Sequence, residues 1–117
     1  MTTHLHQNLT LEKWRAFPLD RRILNIASEL TRAKNRLSEN DLSFFAPSLE
    51  RAFELIDLTI ESVTNQPPRF ILREILRLRE VLAEIYLNPI KQQNEMLLAL
   101  KSLLDLHHNV HNLELEI

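Results

Sequence analysis

Not one of the 117 residues is glycine. Glycine is the residue that takes positive φ without steric cost, so its absence removes glycine-rich phosphate loops and disfavours β-hairpin and Rossmann architectures. Every turn in this chain has to be made by other means. What is left is a protein of helices joined by polar and proline-containing connections.

The hydropathy pattern agrees. From Ser48 to Tyr86 two amphipathic segments face each other across Pro67 and Pro68. Leu49, Phe53, Ile56, Ile60 and Val63 alternate at spacings of four and three, which places them along one side of a helix. Glu50, Glu54, Asp57 and Glu61 follow one position later as an acidic shoulder. Beyond the prolines, Leu72, Ile75, Leu82 and Tyr86 repeat the apolar stripe, and Arg69, Arg73 and Arg77 form a basic edge. Folding back at the turn would set Glu61 opposite Arg69, Asp57 opposite Arg73 and Glu54 opposite Arg77. A carboxylate stripe resembles the acidic helices of all-α nucleotide pyrophosphohydrolases, which hold a divalent metal or a diphosphate. The facing arginines favour an exposed ion-pair ladder instead, each pair contributing about 0.2–1 kcal/mol and chiefly fixing register.

Similar periods predict long helices over about 19–38, 48–64, 68–87 and 89–108. Thr10 caps a short helical turn that ends before Pro18, and Trp14 and Phe17 seal one end of the core. Residues 1–8 read as a flexible arm and 113–117 as a tail. Phe44 and Phe45 fall in the connection before Pro47 and are expected to plug the bundle. Asn88 and Pro89 read as cap and first position of the last helix. The fold expected is all-α, an antiparallel up-down-up-down four-helix bundle with a short N-terminal helical turn, in one domain covering residues 1–117.

Charge and composition narrow the function. A net charge of −2 argues against a general nucleic-acid binder, although residues 1–40 carry seven Lys/Arg against four Asp/Glu. An RNA contact there would use Arg21, Arg22, Arg32 and Arg36. Without cysteine there is no disulfide framework, thiolate zinc site or cysteine nucleophile. No apolar run reaches the roughly 18 residues that cross a bilayer, and no secretory signal opens the chain, so a soluble, cytoplasmic protein is expected.

Three groups of residues stand apart from a plain bundle. Arg79 sits at a core position of its helix, where a guanidinium needs either a structural ion pair or an anionic ligand. Leu55, Leu58, Phe70 and Val81 lie off the principal apolar faces, and with Trp14 they are candidate interface residues, most simply for a homodimer. His107 and His111, four apart with His108 beside them, have metal-ligand spacing on one helix face. His108 stands where zinc metallopeptidases carry their glutamate base. In an up-down-up-down bundle His4 and His6 would share the same pole, giving five histidines able to take zinc or iron.

That arrangement resembles hemerythrin-like metal-binding bundles in helix number and in one His pair. The interior Glu-x-x-His pairs of di-iron bundles are absent. In size and architecture the chain also resembles HEPN domains, helical bundles that act as RNases or accompany nucleotidyltransferases. No Arg precedes any histidine by the four to six residues that their catalytic members use, so the resemblance implies a non-catalytic partner role. No nucleophile-base pair, phosphate loop or interior carboxylate cluster is visible. The leading reading is a non-enzymatic protein-interaction or scaffold module without a cofactor; a His-based metal-binding bundle and a HEPN-like partner of RNA or a nucleotidyltransferase are the alternatives.

Overall fold

A computed structural model describes residues 9–115. Every regular element among them is helical: α1 (Leu11–Arg15), α2 (Leu19–Ser38), α3 (Leu42–Val63), α4 (Arg69–Leu87) and α5 (Gln93–Leu115). The short first turn forms as expected. The Thr10 hydroxyl accepts from the Lys13 N–H at 3.1 Å. Its purpose is Trp14, only 2% exposed, whose indole N–H donates to the Thr59 hydroxyl on α3 at 2.9 Å and whose ring meets Phe17 edge-on.

The core is one cluster fed by all five helices. Helix α2 packs against both α3 and α5, and α4 against the same two, so the four long helices form a ring of neighbours with α1 laid on α3. Between α3 and α4, Asp57 pairs with Arg79 and Glu50 with Tyr86. Seven residues back along one helix therefore match seven forward along the other. The expected partners of the acidic shoulder are displaced by this register: Asp57 takes Arg79 rather than Arg73, and Arg77 pairs within its own helix with Glu74.

Turns without glycine use substitutes. At the end of α2, Asn40 adopts φ 60°. The Asn40 N–H then reaches Leu37 O and the Asp41 N–H reaches Arg36 O, the double closure that usually calls on glycine. Asparagine tolerates this region because its short polar side chain can bond locally. At the end of α4 the Lys91 ammonium donates to the carbonyls of Ile85, Tyr86 and Asn88, which places a cation on the negative end of the helix dipole.

Three boundaries correct the sequence reading. Helix α3 begins at Leu42, not Ser48, and runs through Pro47. An interior proline costs about 3 kcal/mol. Burial of Phe45 in the added turn offsets much of it, at about 1.5–3 kcal/mol for such a side chain. Phe44 from the same turn remains 58% exposed, under the Arg36 guanidinium, so only one of the two phenylalanines plugs the core. Helix α5 begins at Gln93 rather than Pro89, because residues 88–92 cap α4 and form a local turn in which Asn88 Oδ1 accepts from the Ile90 N–H. Among the described residues it runs through Leu115, so residues 113–115 are helix and not tail.

Candidate functional site

Helix α5 has apolar residues on more than one side. Met96, Ala99, Leu100, Leu103, Leu106 and Val110 are buried, yet Leu97, Leu98 and Leu104 are exposed. A helix that is apolar around most of its circumference is ordinarily covered on most of it. Here one flank lies beside α4 along an incompletely closed seam. Between them runs a groove of about 440 Å³. Its floor is Leu78 and Ile85 of α4 with Ala99, Leu103 and Leu106 of α5, all buried. Val81, 39% exposed, and Leu98, 64% exposed, stand on opposite walls. Ser102 and Asn88 supply the neutral polar lining, and Glu74, Arg77, Glu84 and Glu95 complete the rim. The ionisable groups are on that rim, while the floor is hydrocarbon. Such a surface can bind an apolar side-chain row.

Of the interface residues expected from the sequence, Val81 alone is exposed on this groove. Leu55, 4% exposed, and Trp14 belong to the core and are not available to a partner. Leu58 and Phe70 are half-buried against the same core. Leu55 is drawn inward because α1 lays Trp14 over that side of α3, which the helical period of α3 alone does not reveal. Leu98, the most exposed wall of the groove, was missed. The signal was present in the paired leucines at 97–98 and 103–104, which no single stripe can bury.

Among the described residues, His107, His108 and His111 are not gathered into a metal centre. His107 and His111 stack, with ring centroids 6.0 Å apart, but among the described residues no group of three or more His, Cys, Asp or Glu could hold a metal ion. His111 Nδ1 lies 2.9 Å from Asp20 Oδ2 of α2, and since a carboxylate accepts, the imidazole donates. His108 Nε2 is engaged with Asn112. His4 and His6 lie outside the described residues. What this pole builds is a helix clasp. Pro18 provides no side-chain cap for α2, and Glu114 from the last turn of α5 accepts the Asp20 N–H in its place. The Asp20 carboxyl is held below the usual carboxylate range, first by the hydrogen bond from His111, which outweighs the opposing effect of burial, with smaller contributions from the neighbouring Glu114 side chain and the Arg21 N–H.

Arg79 is satisfied at the surface rather than buried. Its Nε donates to Asp57 at 2.6 Å, the guanidinium lies 5.5 Å from the Phe53 ring centroid, and its side chain is 43% exposed. The hydrogen bond to Asp57 raises the guanidinium pKa further. A cation already held by a carboxylate and an aromatic face has little left for an anionic ligand. The same applies to much of the basic edge of α2. Arg22 donates to Phe17 O and to the Ser62 hydroxyl, Arg32 pairs with Glu29, and Arg36 with Glu39 and Asp41. Desolvation lowers the Arg22 pKa.

The chain matches no protein-family model, no curated protein and no solved structure. No helix among the described residues is long and apolar enough to cross a membrane.

Proposed function

We propose that α2, α3, α4 and α5 are an antiparallel up-down-up-down bundle serving as a non-enzymatic protein-interaction module, with the α4–α5 groove as its contact surface. The antiparallel reading is supported by the opposed register of Asp57–Arg79 and Glu50–Tyr86, and by the start of α2 meeting the end of α5 at Asp20 and His111. The observation that carries the functional reading is the groove itself: a buried apolar floor flanked by exposed Val81 and Leu98, with charge confined to the rim. Exposed apolar walls over a buried floor are what a docked helix covers.

A photo-crosslinking residue placed at Leu98 in the native cell tests this. One dominant protein adduct is expected there, and none from the same residue at Leu24, which is exposed on α2. Equal trapping at the two positions, or none at Leu98, would overturn the proposal.

A further inference from the structure

The rim of the groove has a sign. Glu74, Glu84 and Glu95 line it against a single cation, Arg77, which is paired with Glu74 at 3.6 Å. Glu84 and Glu95 enter no ion pair among the described residues, and they belong to opposite helices, one on each bank. Glu84 and Glu95 therefore border the apolar trough on its two banks with no ion-pair partner among the described residues, while Arg77 is taken by Glu74 and Lys91, at the Asn88 end, is held by backbone carbonyls. Along α4 the lining extends from Glu74 to Asn88, about 21 Å at roughly 1.5 Å per helical residue, or about four turns.

We infer that the occupant is a single amphipathic helix of a partner protein, about three to four turns long, bearing Lys or Arg on both shoulders of its apolar stripe. The inference rests on the groove being the contact surface and adds the chemistry of what fills it. Apolar residues at i, i+3 or i+4, and i+7 would descend between Val81 and Leu98 onto Leu78, Ile85 and Leu103. The flanking cations would then meet Glu84 on one bank and Glu95 on the other. An acidic-shouldered helix of equal hydrophobicity would bring like charges together and be rejected.

Two stapled helical peptides of 15 residues, identical in their leucine stripe and differing only in Lys or Glu at the shoulder positions, are titrated by fluorescence anisotropy against the full chain. The Lys peptide is expected to bind about tenfold more tightly at low salt, with the difference shrinking as salt is raised. Charge reversal of the banks, Glu84→Lys with Glu95→Lys, should invert the preference. The neutral variants Val81→Asn and Leu98→Asn, first shown to be folded by circular dichroism, should weaken both peptides.

Equal affinity for the two peptides, still lost in the Asn variants, would overturn the charge inference while leaving the groove as a docking site. Binding that ignores the Asn variants would overturn both readings. A dimer mass by light scattering that falls to monomer with Leu98→Asn would show that a second copy of the chain fills the groove, and would also overturn the inference.

Discussion

Helix α5 has two long flanks, and they are treated differently. Against α2 it packs into the common core and is tied at the end by the Asp20, His111 and Glu114 clasp. Against α4 it leaves a groove with Val81 and Leu98 on its walls. Both flanks offer leucine, so hydrophobicity alone does not close a helix seam. Closure needs polar groups that fix register and a fit between side chains on the two sides. Where these are missing, apolar surface is left for something else to cover.

The contrast makes predictions that differ in size. Trp14→Ala, in the closed core where α1 meets α3, should destabilise by about 3–5 kcal/mol in chemical denaturation, since it empties a buried site and removes the bond to Thr59. Leu98→Ala on the open side should change stability by about 0.5 kcal/mol or less, so comparable losses at the two positions would break the comparison. Asp20→Asn attacks the clasp and should cost about 1 kcal/mol at pH 7, because an amide is a weaker acceptor for His111.

That clasp also has a pH dependence with a definite sign. The Asp20 carboxyl is lowered in the folded protein, so its contribution is complete above the ordinary carboxylate range and is lost as pH falls through the lowered folded value. Wild type and Asp20→Asn should therefore converge in stability at acid pH. A difference between them that grows on acidification would contradict the clasp. Lys91→Ala should fray the end of α4 for about 0.3–1 kcal/mol, seen as faster amide exchange at Tyr86 to Asn88. Arg79→Ala should likewise cost under about 1 kcal/mol, because the Asp57 pair is exposed.

How far the sequence could be followed differs between the two flanks as well. The stripe Ile23, Ile26, Ala27, Leu30 and Leu37 placed α2 at its observed limits, because a strong period ending in Ser38 and Asn40 leaves little choice. Thr10 and Trp14 likewise disclosed the N-terminal turn and its plug. The groove was legible only in part. Val81 stands out as surplus in the sequence, but the paired leucines there do not single out Leu98, and Leu55, expected at an interface, belongs to the core. His107, His108 and His111 were legible as a cluster, but the partner of His111 was not, since Asp20 lies about ninety residues away in sequence.

By itself the sequence determined that this protein is helical, the limits of α2 and which side of most helices turns inward. These are local consequences of periodicity and of having no glycine. The tertiary structure decided the rest: that α3 carries Pro47 within it because Phe45 has a core to enter, and that α5 continues to Leu115 because Asp20 waits for His111 and Glu114. It also decided which of the surplus apolar residues remain uncovered. Each of those outcomes depends on atoms brought together from distant parts of the chain, and a period read along one helix carries no information about how completely its neighbour closes over it.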